Sequence, residues 1–242
     1  MSLLPLYQSV FERYEKKYVI TESKKEKLLF LIGEKLVPDE FGESTVCNLY
    51  FDTPDYRLIR ASIERPVYKE KLRLRSYGIP QENSNVFVEL KKKYKGVVYK
   101  RRVNMTYGEA VDFLCRRNIP HSDAQVYGEI AYFMGFYRSL RPTVSIFCDR
   151  TAYFSFEDRN VRVTFDRNIR FRNQLLDFSN GSEGTPLLES GLFVMEVKTL
   201  GAVPLWLSAA LAELEIYPRS FSKYGKAYEM MFNKKIAASM KQ

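Results

Sequence analysis

Alternating cations and leucines along residues 67–77 constrain the fold more than any other feature of this chain. Successive side chains of a β-strand point to opposite faces, so residues two apart share a face. Leu72 and Leu74 then lie on one face of a strand. The opposite face carries a row of cations: Lys69, Lys71, Arg73 and Arg75. The period of two predicts a strand with one apolar face and one cationic face.

The same period recurs along most of the chain and predicts a fold dominated by a sheet. We predict strands at about 11–20, 45–52, 67–77, 85–94, 97–105, 142–154, 160–171 and 192–199. Several of them follow one another without an intervening helix, which favours antiparallel pairing. Helices are predicted at 21–36, 53–63, 106–117, 122–140, 204–216 and 222–232, and a long surface loop at 172–191. No composition shift divides the chain, so we predict one α+β domain over residues 1–242.

Capping signals fix where several of these helices begin. Thr53-Pro54 matches an N-cap followed by a proline at the first helical position. Thr106 with Glu109, and Ser122 with Gln125, match the spacing of a capping box. Pro204 and Ser222 are expected to open the last two helices.

The charge balance indicates an anionic partner. Lys+Arg 38 exceed Asp+Glu 29, which gives a formal net charge of +9. No window approaches ~18 consecutive apolar residues, so no membrane-spanning helix is predicted. The N-terminal segment lacks a basic region followed by a long apolar run, so no signal peptide is predicted either. Composition alone leaves nucleic acid, phosphorylated metabolites and a membrane surface open as partners.

Cysteine and histidine exclude several other classes of site. Cys47, Cys115 and Cys148 are dispersed without CxxC spacing, which argues against a disulfide framework and a zinc ribbon and favours a cytoplasmic location. We expect all three to be small core residues. His121 is the one histidine, so histidine-rich metal sites are excluded and a Ser-His-Asp triad is disfavoured. Its place between a proline and a serine predicts a surface position.

The cationic rows have a stronger interpretation than solvated strand faces. Like charges on neighbouring strands repel, so stacking them gives folding nothing unless an anion binds. If the sheet closes into a barrel of about eight strands, its interior admits side chains or one slender ligand. We therefore predict a basic tunnel that fits a phosphate chain and is too narrow for duplex nucleic acid. Ten cations are expected to line it: Arg13, Lys17, Lys71, Arg73, Arg75, Lys91, Arg102, Arg150, Arg162 and Lys198.

Carboxylates on the same faces add a candidate metal site. Glu15, Glu89 and Glu196 each share a strand face with cations. Mg²⁺ and Mn²⁺ prefer carboxylate oxygens together with the phosphate oxygens of a substrate. The pattern therefore predicts Mn²⁺ or Mg²⁺ as cofactor, held by some of these glutamates.

The ordered series of motifs resembles the VTC domain of polyphosphate polymerases, within the CYTH-like superfamily of triphosphate tunnel metalloenzymes. The resemblance runs from residue 11 to about 230. The matching segments are Phe11–Ile20 (FERYEKKYVI), Tyr50–Thr53 (YFDT), Lys69–Tyr77 (KEKLRLRSY), Val88–Lys91 (VELK), Lys100–Arg102 (KRR), Asp149–Tyr153 (DRTAY), Val161–Asp166 (VRVTFD), Met195–Lys198 (MEVK) and Phe221–Gly225 (FSKYG). The resemblance implies an antiparallel β-barrel of about eight strands, flanked by helices, that encloses a basic tunnel.

The resemblance also implies roles for individual residues. Arginines are expected to clamp the reacting phosphates: Arg73, Arg75, Arg150 and Arg162. Further phosphate contacts are expected from Lys17, Lys91, Lys100, Arg102, Lys198, Ser222 and Lys223. Glu196 matches the metal-binding glutamate of the family, with Glu89 and Glu15 as additional candidates. ATP and polyphosphate are the expected partners, and because eukaryotic relatives join transmembrane subunits, a membrane partner is a further expectation.

Three functions fit this resemblance. The first is a polyphosphate polymerase that transfers the γ-phosphoryl group of ATP onto a growing chain. The second is a tripolyphosphate or nucleoside triphosphate hydrolase that uses the same tunnel. The third is a polyphosphate- or nucleic-acid-binding module without turnover, with nucleic acid disfavoured. Arg13 stands where hydrolases of the superfamily carry the first glutamate of a Glu-x-Glu-x-Lys motif, which favours the polymerase.

Overall fold

Ten strands and six α-helices make up the computed structural model, which describes residues 14–64, 66–95, 97–119 and 124–239. The strands are β1 (Tyr14–Thr21), β2 (Leu36–Pro38), β3 (Ser44–Asp52), β4 (Tyr68–Tyr77), β5 (Asn85–Tyr94), β6 (Val97–Thr106), β7 (Arg141–Ser155), β8 (Arg162–Arg172), β9 (Thr185–Pro186) and β10 (Leu192–Thr199). The helices are α1 (Glu22–Ile32), α2 (Arg57–Ile63), α3 (Tyr107–Cys115), α4 (Gln125–Phe136), α5 (Leu205–Glu213) and α6 (Lys223–Ser239). Short 3₁₀ turns follow α1 at Gly33–Lys35 and precede β9 at Phe178–Asn180.

Eight of the strands form one curled antiparallel sheet. Their order is β1-β10-β8-β7-β3-β4-β5-β6, while β2 and β9 add short ladders to β7 and β8. The curl brings side chains of distant strands together. Lys91 Nζ on β5, for example, lies 3.8 Å from Glu15 Oε2 on β1. The sheet is therefore a half-barrel with a convex outer face and a concave inner face. This confirms the predicted α+β fold, an antiparallel β-barrel of about eight strands with flanking helices, and the structure gives the barrel the form of a half-barrel.

The convex face carries two of the three hydrophobic cores. Under α3 and α4, strand residues such as Leu72, Leu74 and Leu90 are fully buried. Under α1 and α5, β8 and β10 contribute Phe165 and Met195. Since these apolar residues use the convex face of their strands, the alternate residues of the same strands lie on the concave face.

The third core lies inside the curl, where α6 covers one end of the concave face. Tyr224 stacks on Tyr50 with ring centroids 4.8 Å apart, and its hydroxyl donates to Asp52 Oδ2 at 2.9 Å. The same Asp52 carboxylate accepts from the backbone N–H groups of Leu58 (2.9 Å) and Ile59 (3.0 Å) at the start of α2. One buried carboxylate thus joins β3, α2 and α6, which sets where α6 begins.

The predicted strands all appear within a few residues of their expected bounds, whereas the two predicted helix starts at Thr53 and Thr106 have different outcomes. Thr106 and Glu109 form the predicted capping box of α3, so that prediction is confirmed. The start of α2 was predicted wrongly, because the helix begins at Arg57 and Tyr56 takes a left-handed φ of 60° just before it. Thr53 instead accepts from the Arg57 N–H at 2.9 Å, and Pro54 lies in the turn.

Other differences are local. β2 and β9 were not predicted, and α6 extends to Ser239 rather than ending near Phe232. Cys47 and Cys148 are buried as predicted, but Cys115 is exposed, so the prediction of a core position is wrong for it. Arg13, His121 and Ser122 lie outside the described residues. Within the described part of the chain, none of the helices has the length and apolar character needed to cross a bilayer.

Candidate functional site

The concave face gathers most of the predicted site residues. Strand register places neighbours side by side: Arg73 opposite Glu89, Glu89 opposite Arg102, and Lys17 opposite Glu196. Eleven cations lie on this face or at the start of α6, namely Lys17, Lys71, Arg73, Arg75, Lys91, Lys100, Arg102, Arg150, Arg162, Lys198 and Lys223. Four carboxylates face them, namely Glu15, Glu89, Asp166 and Glu196. The excess of cations makes the face strongly basic.

One cluster of ion pairs centres on Glu89, and we call it the Glu89 cluster. The carboxylate of Glu89 is 1% exposed, and both its oxygens accept from cations of β4 and β6. Arg73 Nε donates to Oε2 at 2.7 Å, and Arg75 Nε lies 3.8 Å from the same oxygen. On the other side, Lys100 Nζ reaches Oε1 at 2.7 Å and Arg102 Nε reaches it at 2.8 Å. Four cations therefore surround one carboxylate.

The excess charge of the Glu89 cluster appears in its pKa values. Burial alone would raise the pKa of Glu89, but Arg73, Arg75, Lys100 and Arg102 hold that pKa well below the usual range. Burial lowers the pKa of Lys100 to about 8, with Glu89 acting in the opposite direction and Arg102 lowering it further. The carboxylate is thus ionised at neutral pH, and the cations around it have too few counter-ions.

A second cluster, the Glu196 cluster, joins β1, β7, β8, β10 and the start of α6. Arg150 binds Asp166 through two hydrogen bonds of 2.5 and 2.7 Å. Lys223 donates to Asp166 and, at 3.3 Å, to Glu196. Glu196 is further paired with Lys198 at 3.0 Å and Lys17 at 3.5 Å. Glu15 lies at the edge of the cluster, 3.3 Å from Lys17.

Carboxylates of the Glu196 cluster are ionised as well. Burial would raise the pKa of Glu196, but Lys198, Lys223 and Lys17 keep it well below its ordinary value. For Asp166, burial is outweighed by Lys223 and Arg150, and the pKa falls to about 2. Here three carboxylates meet four cations, so this cluster is more nearly balanced than the Glu89 cluster.

Ser222 lies immediately before α6 and acts as its N-cap. The backbone N–H of Gly225 donates to Ser222 Oγ at 3.1 Å, and Lys226 N–H donates to Ser222 O at 2.8 Å. The nearby Phe221 carbonyl accepts from Lys17 Nζ at 3.3 Å, which ties this helix start to β1. The N-terminus of a helix offers backbone N–H groups to an anion, so the position suits phosphate.

Arg162 and Thr164 add unsatisfied polar atoms to the concave face. Arg162 is paired with Asp39 at 2.9 Å and lies over the ring of Phe154, 4.8 Å from its centroid. Within the described residues, Arg162 Nε and Thr164 Oγ1 are buried without a hydrogen-bond partner. Thr164 is the strand neighbour of Glu196, so its hydroxyl faces the middle of the Glu196 cluster.

Sequence reasoning named Lys71 as a tunnel cation but gave it no role in the site. Among the described side chains, Lys71 forms no ion pair. Burial lowers its pKa to about 8, with Tyr50 acting in the opposite direction and Lys17 and Lys91 lowering it further. Asp166 was also missed, although it closes the quoted segment at 161–166, because its pairing with Arg150 depends on strand register. The alternation of Lys71 with Arg73 and Arg75 was the available signal for Lys71.

The three carboxylates predicted to hold a metal are divided between the two clusters. Glu15 and Glu196 lie on adjacent strands, diagonally across the Lys17–Glu196 pair, whereas Glu89 lies on β5. Among the described residues, no three potential ligands of the His, Cys, Asp and Glu types cluster as a metal site. Two carboxylates fit a hard divalent ion only when substrate phosphates complete its coordination, as Mg²⁺ commonly requires.

The sequence model of the VTC domain matches residues 12–232. The chain belongs to the VTC domain family. No curated protein sequence matches it significantly.

Solved structures share the fold of this VTC-domain chain. A proposed adenylate cyclase from Bacillus halodurans is 13% identical, with a TM-score of 0.55 over 89% of this chain and 96% of that chain. A second from Vibrio parahaemolyticus is also 13% identical, with a TM-score of 0.51 over 91% and 99%. A proposed adenylyl cyclase from Hippeastrum, described as having a dominant triphosphatase activity, is 17% identical, with a TM-score of 0.51 over 87% and 92%. At these identities the likeness shows the fold.

Proposed function

We propose that this VTC-domain chain is a polyphosphate polymerase that transfers the γ-phosphoryl group of ATP onto a growing phosphate chain. The observation that carries the proposal is the concave face, where eleven cations meet four carboxylates that are all already ion-paired. Such an excess is stabilised by a polyanion. The curl of the half-barrel suits a single extended chain better than a duplex.

The transfer needs positioning and charge neutralisation more than covalent chemistry from the protein. A terminal oxygen of the acceptor chain forms the new bond to the γ-phosphorus, the bond to the β,γ-bridging oxygen breaks, and ADP leaves. Arginines bind phosphate oxygens bidentately, a role we assign to Arg73, Arg75, Arg150 and Arg162. Point charges then come from Lys17, Lys91, Lys100, Lys198 and Lys223, with Arg102 and the Ser222 hydroxyl as further contacts.

Mn²⁺ or Mg²⁺ is the proposed cofactor, with Glu196 and Glu15 as its protein ligands. When bound, the ion neutralises phosphate oxygens and polarises the reacting phosphorus. Glu89 was also predicted as a ligand. Its oxygens lie within 2.8 Å of Arg73, Lys100 and Arg102, whereas the lysines around Glu196 lie 3.0 to 3.5 Å away. We therefore propose that Glu89 acts as the counter-ion that orients its cations.

Hydrolysis of tripolyphosphate or a nucleoside triphosphate is the second candidate. It uses the same phosphate contacts with water as acceptor, and the triphosphatase activity described for the Hippeastrum protein of the same fold favours it. A binding module without turnover is the third. The cytoplasmic location, a membrane partner and the exclusion of nucleic acid remain predictions.

Product length distinguishes these functions. The purified protein is incubated with ATP and Mn²⁺, and the products are separated on a gel before and after digestion with an exopolyphosphatase. The proposal predicts a long polymer that the exopolyphosphatase removes. Release of orthophosphate alone would establish the hydrolase, and binding of ATP without any product would establish the binding module. Competition between short polyphosphate and an oligonucleotide, measured in parallel, tests the exclusion of nucleic acid.

A further inference from the structure

Two aromatic rings mark one end of the concave face. Tyr77 ends β4 in the same alternation as Arg73 and Arg75, and Phe87 lies on β5 opposite Arg75. Their ring centroids are 6.0 Å apart with an interplanar angle of 80°. Tyr77 is 48% exposed, so much of its ring is open to solvent at the edge of the site.

The aromatic pair adjoins the phosphate-binding cations directly. The guanidinium of Arg102 lies 4.2 Å from the centroid of the Phe87 ring, while its nitrogens reach Glu89. Arg75 is the strand neighbour of Phe87 and lies two residues from Tyr77. Burial would raise the pKa of Tyr77, but Arg75 and Arg102 lower it, which agrees with this proximity. A planar group stacked on Tyr77 would therefore lie next to the cations of the Glu89 cluster.

The opposite end of the β4–β5 ladder has a different character. There the concave positions are lysines, with Lys69 paired in register with Lys93. Aromatic residues are present at that end too, but Tyr68 and Tyr94 occupy the alternate, convex positions, with centroids 6.5 Å apart. The concave face thus has one aromatic end and one lysine end.

We propose that Tyr77, backed by Phe87, is a stacking platform for the base of a nucleoside triphosphate. The proposal rests on the proposed function, since it concerns the nucleotide that donates the phosphoryl group. Stacking on Tyr77 points the phosphates inward, toward Arg75 and Arg73, and then toward Lys71 and Lys91. Every nucleobase has a π-face, so the platform holds ATP and GTP alike and discriminates against phosphate chains that lack a base.

Calorimetry tests the platform by measuring the binding of ATP and of inorganic tripolyphosphate, each with Mg²⁺. Tyr77→Leu is expected to weaken ATP binding about ten-fold, the loss of a modest base–aromatic stack, and to leave tripolyphosphate binding unchanged. Tyr77→Phe keeps the ring and is expected to bind both ligands like wild type. The matched control is Tyr94→Leu, which removes an aromatic ring of similar exposure from the convex face, and it is expected to change neither affinity.

Equal effects on the two ligands, or none on either, would overturn the platform. Binding of tripolyphosphate also reports that each variant is folded with its phosphate site intact. The proposed function fails separately, since it requires product formation. If ATP binds in the expected pattern but no polymer appears, the platform stands and the polymerase assignment does not.

Discussion

The Glu89 cluster and the Glu196 cluster differ in how many carboxylates balance their cations. Glu89 is one carboxylate among four cations, all from the adjacent strands β4, β5 and β6. The Glu196 cluster has three carboxylates, and one of its cations, Lys223, comes from α6. The Glu89 cluster therefore has the larger excess of positive charge, and strand register alone fixes the positions of its residues. The Glu196 cluster contains the carboxylates that we propose as metal ligands, and the position of its Lys223 depends on how α6 packs.

Substitution of Glu196 should have the largest effect on activity. Glu196→Gln removes the central carboxylate of the second cluster while keeping its shape, and turnover is expected to fall at least about 100-fold, typical for loss of one charge-stabilising group. Tripolyphosphate binding without divalent ions should be retained, because no cation is lost. Initial rates and calorimetry measure the two quantities. Glu213→Gln on the exposed face of α5 is the control, and wild-type turnover in Glu196→Gln would contradict the assignment.

Glu89→Gln should have the largest effect on stability. The substitution leaves four partly buried cations without their counter-ion, and breaking a buried pair in this way costs about 3 kcal/mol of unfolding free energy. Urea unfolding measures the loss, and added tripolyphosphate should restore stability more in the variant than in wild type. Glu129→Gln is the matched control, because Glu129 pairs with Arg101 on the outer face at 3.0 Å. Equal stability of the two variants would show that the Glu89 cluster is not under electrostatic strain.

A substitution in α6 tests how far the Glu196 cluster depends on this helix. Tyr224→Phe removes the buried hydrogen bond to Asp52 and should cost about 1 kcal/mol of unfolding free energy. Since α6 also positions Lys223, turnover should fall a few-fold. Tyr228→Phe on the same helix is the control, because Tyr228 contributes ring contacts to Tyr56 and Phe232. If the two variants unfold with the same free energy, Asp52 does not anchor the helix as described.

The smallest expected effect is a pH dependence from Lys71. Its pKa of about 8 means that the positive charge is present below pH 8 and is lost as the pH rises through that value. Tripolyphosphate affinity should therefore fall a few-fold between pH 7 and pH 9. The free energy of unfolding should instead rise with pH between this pKa and the ordinary ~10.4, because in that range the unfolded chain binds more protons than the folded chain. Lys71→Arg keeps the charge and should lose part of the affinity dependence, and an unchanged pH profile would contradict this role.

Much of the fold was predictable because strands have a period of two. A period of two, as in the alternation of Lys71, Arg73 and Arg75 with buried leucines, placed eight of the strands and the face on which their cations lie. The capping box of α3 was equally local. The start of α2 was not, since the Asp52 carboxylate accepts from its first turn and Tyr56 takes a left-handed conformation. β2 and β9, with three and two residues, are too short to carry a period.

The division of the site into two clusters was beyond the sequence. Which carboxylate pairs with which cation depends on the register between neighbouring strands of the sheet. Arg150 meets Asp166 across β7 and β8, and Lys223 reaches both Asp166 and Glu196 only because α6 enters the curl. Neither contact has a signal in local spacing, so Asp166 received no role and Glu89 was grouped with the metal ligands.

Tripolyphosphate binding to an Arg73→Ala/Arg75→Ala variant tests the central claim most directly. If the concave face is the phosphate site, loss of the half-buried Arg73 and the buried Arg75 guanidinium groups should weaken binding by at least about 100-fold, as expected when charge-assisted hydrogen bonds are removed. Arg101→Ala, next to Arg102 on β6 but paired with Glu129 on the outer face, is the matched control and should bind like wild type. Wild-type affinity in the folded double variant would contradict the claim that this face binds phosphate.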